Sequence, residues 1–118
     1  MSDQDRIRNF EYRPYRMQTG FAVEFVMAEI TLQGLCRDVS DAGIRAEFDG
    51  SIEVGDSGLL ILRHPSGTLS LEAQAAYTEK CQVGLIFRFQ TTWEHQVTAE
   101  YIAQIARLTA ASQLIQFP

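Results

Sequence analysis

The chain has 118 residues, of which 46% are hydrophobic and 21% charged, a composition typical of one globular domain that buries a core without disulfide or metal support. Its net charge of −5 argues against general binding of DNA or RNA, which requires a basic face. No apolar run approaches the roughly 20 residues of a membrane span, and the N-terminus lacks the layout of a secretion signal. We therefore expect a cytoplasmic protein without membrane insertion.

The first 18 residues form no clear element, and they hold four of the ten basic residues, all arginines: Arg6, Arg8, Arg13 and Arg16. A guanidinium group is a planar fork that binds a phosphate, or the O6/N7 edge of guanine, through two hydrogen bonds. We predict that residues 1–18 are a flexible segment that offers these groups to an anion. The plainer alternative is a solvated terminal tail.

Six stretches are predicted to be strands because their apolar and polar residues alternate: residues 20–29, 30–37, 44–48, 59–63, 68–78 and 81–89. Alternation along the fifth stretch places Tyr77 on the inner face. Ile52 and Val54, which lie between two turn signals, form at most a short bridge. Gly84 lies in the middle of a predicted strand, which indicates a bend or a close approach of neighbouring atoms.

From Thr91 onwards the hydrophobic period is that of a helix. Thr91 and Glu94 match a capping box, so we predict a helix over residues 91–117. Trp93 is expected to pack with the helix, whose apolar stripe comprises Val97, Tyr101, Ile102, Ile105 and Leu108 and extends towards Leu114 and Ile115. The helix is longer than a small barrel requires, so its far end is available for a partner or for a homodimer.

Short antiparallel strands followed by one amphipathic helix predict a mainly β protein. A small barrel with the helix packed across an opening would remove the exposed edges of the sheet. We expect a single domain over residues 1–118.

No catalytic or metal-binding constellation is evident in the sequence. His64 and His95 are isolated from Cys36 and Cys81, and no pair has the spacing of a zinc site. No glycine-rich phosphate loop precedes a helix. We predict a protein that is not an enzyme and has no metal or cofactor, in which both cysteines are small side chains of the core or of an interface.

Residues 38–43, Asp-Val-Ser-Asp-Ala-Gly, separate two predicted strands. Asp38 and Ser40 are short polar residues that start turns, and Gly43 supplies the backbone freedom of a sharp reversal. Polar side chains held at such a link are a common half of a ligand site. Alternatively, Asp38 and Ser40 only cap their own turn.

The Asp-x-Ser-x-x-Gly turn, following an arginine-bearing N-terminal segment, resembles the signature of the PilZ family, bacterial receptors for the second messenger cyclic di-GMP. The family signature also contains an Arg-x-x-x-Arg pair. Arg16 matches its second arginine, whereas Tyr12 stands four residues earlier and Arg13 three, so the spacing is irregular. The resemblance implies a six-stranded antiparallel β-barrel over residues 19–90 with a C-terminal α-helix.

The resemblance also implies a ligand-binding set: Arg8, Arg13, Arg16, Asp38, Ser40, Gly43 and Arg45. Asp38 would accept the N–H groups of guanine, Ser40 would donate to a phosphate or brace the turn, and Gly43 would let the backbone come close. Arg45 would either aid the ligand or pair with Glu47.

The function implied is that of a cyclic di-GMP receptor whose N-terminal segment becomes ordered on binding and changes the surface offered to a protein effector. The alternative is an adaptor of the same fold that acts by protein contact without the dinucleotide. A third reading, a barrel for single-stranded nucleic acid, requires aromatic and cationic side chains on one exposed face.

Overall fold

A computed structural model describes the backbone of residues 17–115 and the side chains of residues 17–110. The strands are β1 (Met17–Gln18), β2 (Ala22–Val26), β3 (Thr31–Val39), β4 (Gly43–Phe48), β5 (Ser57–His64), β6 (Gly67–Glu79) and β7 (Gln82–Phe87), followed by helix α1 (Thr92–Ile115). Met17 and Gln18, which we expected in the flexible segment, form a strand instead. The four N-terminal arginines, including Arg8, Arg13 and Arg16, lie outside the described residues.

Six of the strands form a closed antiparallel barrel. Their order is β3-β2-β5-β6-β7-β4, and β4 pairs back with β3 to close the sheet. The seventh strand, β1, pairs with the end of β3. The predicted six-stranded antiparallel barrel with a C-terminal helix is therefore confirmed. Closure satisfies the backbone groups that an open sheet would leave at its edges.

The core lies inside the barrel and follows the alternation of the strands. Apolar residues that alternate along each strand point inwards, as the period of two requires. The buried apolar side chains of the strands include Val23, Phe25, Leu32, Cys36, Ile44, Ala46, Leu60, Leu62, Leu71, Ala73, Val83 and Leu85. The prediction for Cys36 is confirmed.

Two strands carry one extra residue each, and both extra residues change the alternation. In β3, Cys36 pairs with Ala46 and Asp38 pairs with the adjacent Arg45, so Arg37 has no counterpart. In β6, a second bulge at Ala76 shifts the register in the same way. A β-bulge reverses the side on which the following side chains lie.

Two other predictions about single residues are wrong. Tyr77, predicted to point inwards, is 41% exposed because it follows the bulge in β6. Trp93, predicted to pack with the helix, is 72% exposed. Cys81 is exposed in the tight link between β6 and β7, so it is not a core residue, and its place in an interface stays a prediction. Ile52 and Val54 form no bridge, in agreement with the prediction of at most a short one, and Ile52 is buried.

The helix begins where the capping box predicts. The hydroxyl of Thr91 accepts the backbone N–H of Glu94 at 3.0 Å, and the carboxylate of Glu94 accepts the backbone N–H of Gln90 at 2.6 Å. These contacts satisfy donors that the first turn of a helix leaves free. α1 does not combine the length and apolarity needed to cross a bilayer.

The inner face of α1 docks on the barrel through few side chains. Ile105 and Thr98 are fully buried, and Tyr101 and Ile102 pack against the core. The Tyr101 hydroxyl donates to the carbonyl of Gly67 at 2.7 Å and accepts the backbone N–H of His64 at 3.2 Å. Burial raises the pKa of Tyr101. One phenol thus joins the helix to the link between β5 and β6.

Thr98→Val is expected to stabilise the fold. The Thr98 hydroxyl is buried without a hydrogen-bond partner among the described residues, and an unsatisfied buried polar group costs roughly 1–3 kcal/mol. Valine keeps the shape, so the free energy of unfolding in urea should rise by about 1 kcal/mol. Thr98→Ser, which keeps the hydroxyl and loses the methyl group, should lower it. A less stable valine variant would mean that the hydroxyl has a partner.

Tyr101→Phe is expected to destabilise the fold by about 1–2 kcal/mol, because it leaves the His64 amide and the Gly67 carbonyl without this partner. Chemical denaturation measures the loss. Hydrogen exchange should locate it, with faster exchange of the His64 amide than in the wild type. Unchanged exchange at that amide would show that the phenol does not fasten the helix to the hairpin.

Candidate functional site

The link between β3 and β4 is a turn braced by Ser40. The backbone N–H of Ser40 donates to the carbonyl of Gly43 at 2.9 Å. The Ser40 hydroxyl accepts a hydrogen bond from the N–H of Ala42 at 3.1 Å and donates one to the carbonyl of Gly43 at 3.4 Å. Ser40 is only 1% exposed. Of the two roles predicted for Ser40, these contacts provide the bracing of the turn.

The backbone freedom predicted for Gly43 is not what its position requires. The left-handed glycines of the described chain are Gly55 and Gly67, so the turn does not use Gly43 for its freedom of φ. A Cβ atom at Gly43 would instead overlap the carbonyl oxygen of Leu85 on β7. Any side chain here would push β4 away from β7 beside the turn. Gly43 therefore allows the close approach of two strands.

Asp38 lies within β3, not in the turn, and it forms an ion pair with Arg45. The Arg45 Nε donates to a carboxylate oxygen of Asp38 at 2.7 Å, and an Nη nitrogen contacts the same oxygen. Asp38 is 3% exposed, whereas the Arg45 side chain is 40% exposed. The hydrogen bond with Asp38 raises the pKa of Arg45. The ion pair presents one cationic fork at the surface above a buried carboxylate.

The alternative pairing of Arg45 with Glu47 is wrong. Glu47 accepts hydrogen bonds from Nε and Nη2 of Arg37 at 3.0 and 3.2 Å. These bonds lower the pKa of Glu47. Glu47 is therefore paired with Arg37, and Arg45 is paired with Asp38.

Residues from four neighbouring strands form one row across the outer face of the barrel. Asp38 on β3 pairs with Arg45 on β4, Arg45 pairs with Gly84 on β7, and Gly84 pairs with Tyr77 on β6. The Tyr77 ring lies over Gly84, where a Cβ atom would overlap it. Tyr77 also contributes to the raised pKa of Arg45, less than Asp38 does. The close approach predicted at Gly84 is that of this ring.

A shallow cleft of about 170 Å³ adjoins this row. Gly43 and Gly84 contribute only backbone to its lining, and Tyr77 and Ile86 line it with exposed apolar surface. The exposed part of the Tyr77 ring is a surface on which a flat ring can lie.

The N-terminal segment joins the barrel at this site. Gln18 pairs with Asp38, and Met17 pairs with Val39. Met17 is buried and lines a cavity of about 310 Å³ together with Val39, Asp41 and the small residues Ala99 and Ala103 of α1. The described chain thus begins, at Met17, between the turn and the helix.

The structure brings together four residues that the sequence predicted for the site, Asp38, Ser40, Gly43 and Arg45. Sequence reasoning missed Tyr77 as a residue of this surface, because alternation placed it inside. The glycine at position 84 was the available signal, since a mid-strand glycine indicates that another group comes close. In the described part of the chain, no three side chains of the His, Cys, Asp or Glu type cluster to hold a metal ion.

No family model and no curated protein matches the sequence. Solved structures do match the fold. The PilZ domain of YcgR from Escherichia coli, solved with cyclic di-GMP, is similar with a TM-score of 0.72 at 14% identity, over 88% of this chain and 97% of that domain. The PilZ domain of CeSA from a cellulose-synthesising bacterium is similar with a TM-score of 0.67 at 14% identity, over 78% and 98%.

A third similar structure is the Bacillus subtilis inhibitor of motility MotI/DgrA, with a TM-score of 0.62 at 21% identity. The match covers 80% of this chain and 50% of that protein. At this low identity the similarity is one of fold. The chain therefore has the PilZ-domain fold.

Proposed function

We propose that the protein is a cytoplasmic, non-enzymatic receptor for cyclic di-GMP. The dinucleotide would bind between the N-terminal arginines and the outer face that carries Asp38, Arg45 and Tyr77. Binding would order the N-terminal segment against the barrel and change the surface that the protein presents to an effector protein.

The residues on this face match the chemistry of the ligand. Cyclic di-GMP carries two phosphates and two guanines, so it requires cationic forks, acceptors for guanine N–H groups and surfaces for stacking. Arg45 supplies a fork for a phosphate or for the O6/N7 edge of guanine. Asp38 supplies a carboxylate acceptor, and Tyr77 supplies an exposed ring on which a base can stack. Ser40 and Gly43 would act indirectly, by holding the turn and the two strands in place.

The observation that carries the proposal is the pairing of β1 with the end of β3. Because Gln18 lies beside Asp38 and Met17 beside Val39, the segment with Arg8, Arg13 and Arg16 starts at the site itself. Arg16 directly precedes Met17 in the sequence, and consecutive Cα atoms are about 3.8 Å apart. We therefore expect the start of the arginine-bearing segment to meet a negatively charged ligand on the outer face.

One observation favours the rival function, an adaptor of the same fold that does not bind the dinucleotide. Asp38 is almost completely buried and already paired with Arg45, so both side chains have a structural role without a ligand. In the receptor, guanine would have to compete for this carboxylate or use its remaining acceptor positions. Direct titration with the ligand separates the two functions.

Isothermal titration with cyclic di-GMP is expected to give micromolar or tighter binding. Arg16→Ala should abolish it, and Asp38→Ala and Arg45→Ala should each weaken it about tenfold or more, because a charge-assisted hydrogen bond contributes roughly 1.5–3 kcal/mol. Arg63→Ala is the matched control, since Arg63 lies on β5 and pairs with Glu24. Cyclic di-AMP should bind weakly, because adenine lacks the N–H groups that Asp38 would accept. If millimolar cyclic di-GMP produces no heat of binding, the receptor function is excluded and the adaptor function is favoured.

Two substitutions are expected to test the stacking surface separately. Tyr77→Ala removes the ring, and Gly84→Ala keeps the ring but displaces it, because the new Cβ atom would overlap it. Each should weaken cyclic di-GMP binding by about 5- to 150-fold, since stacking of one base contributes roughly 1–3 kcal/mol. Tyr77→Phe keeps the stacking surface and should bind nearly as the wild type does. Equal affinity of all three variants would remove Tyr77 from the site.

A further inference from the structure

Helix α1 has a second, outward-facing stripe that the barrel does not cover. Trp93 is 72% exposed, although it is a large apolar residue. An open groove of about 590 Å³ runs along Trp93, Val97 and Glu100. Exposed tryptophan beside a groove marks surfaces that bind other proteins more often than it marks plain solvent-facing surface.

One line of residues runs along the outward-facing side of α1. Positions 93, 97, 100, 104 and 107 follow one another at intervals of four and three, so they lie on one face of the helix. We name these residues the outer stripe: Trp93, Val97, Glu100, Gln104 and Arg107. A hydrogen bond from Arg107 to Gln104, at 2.5 Å, shows that these two side chains lie on the same face. At 24 residues the helix is about 36 Å long, enough to pair with a second helix along this line.

The charges on the outer stripe specify a second copy of this chain as the occupant. Glu100 and Arg107 have opposite signs and are exposed two turns apart. When two copies pair antiparallel, Glu100 of each copy lies opposite Arg107 of the other, so two ion pairs form around the two-fold axis. Parallel pairing would place like charges opposite each other, which is unfavourable. Gln104 lies near the axis, where its amide can both donate to and accept from its own copy.

We propose that the protein forms an antiparallel homodimer through the outer stripe of α1, with Trp93 as the apolar anchor at each end. In this register Trp93 lies opposite the last turns of the partner helix. Buried tryptophans dominate the energetics of many interfaces, and the polar centre sets the orientation. This surface is separate from the outer face proposed for the ligand, so the dimer does not depend on ligand binding.

Sedimentation equilibrium of the full chain over micromolar to submillimolar concentrations tests the dimer. Trp93→Ala should raise the dissociation constant at least tenfold. Glu100→Arg and Arg107→Glu should each weaken the dimer, because each places like charges opposite each other. The double variant Glu100→Arg/Arg107→Glu should restore it. A monomer at all concentrations would overturn the proposal, as would a dimer that is insensitive to the three single variants.

Trp93 is the single tryptophan of the chain and therefore reports on its own burial. Raising the protein concentration should shift its fluorescence to shorter wavelength and reduce quenching by acrylamide. Equal unfolding midpoints of the variants under dilute conditions would show that the helix remains folded. Titration of Trp93→Ala with cyclic di-GMP should give the wild-type affinity if the ligand site exists, so failure of the dimer and failure of the receptor are distinguishable. Unchanged fluorescence over the range where a dimer forms would overturn the role of Trp93.

Discussion

One extra residue in each of two strands determines the outer face on which the site is built. Without the bulge at Arg37, alternation from the buried Cys36 would turn Asp38 into the core. Without the bulge at Ala76, Tyr77 would follow Ala75 inwards. A buried carboxylate among apolar side chains would be costly unless paired. Both bulges instead bring these side chains to the row of Arg45. There the Asp38 carboxylate pairs with the Arg45 guanidinium, and the Tyr77 ring packs over Gly84.

Two glycines of this surface, Gly43 and Gly84, allow close contacts between neighbouring strands. Gly43 lets β4 approach the backbone of β7, and Gly84 leaves the space that the Tyr77 ring covers. In a close-packed structure, a position without a side chain is available to another group. The shape of the surface therefore depends on the missing side chains of the two glycines as well as on the ion pair of Asp38 and Arg45.

The helix connects the site to the rest of the molecule and leaves one of its own faces free. Its inner face is held by Ile105, Thr98 and the hydroxyl of Tyr101, while small residues face the cavity beside Met17 and Asp41. The start of the N-terminal segment and the turn thus share a boundary with the helix. A ligand that ordered this segment would act next to α1, which also carries the exposed Trp93.

The sequence by itself determined the strand alternation, the helix start at Thr91 and Glu94, and the turn at Ser40, because these depend on local periodicity and on short-range hydrogen bonds. Only the tertiary structure decided that Arg45 pairs with Asp38, that Tyr77 faces outwards, that Cys81 and Trp93 are exposed, and that β1 pairs beside Asp38. Strand registers, bulges and the choice of which helix face meets the barrel are set by residues distant in the chain. A single alternating pattern contains no information about those partners.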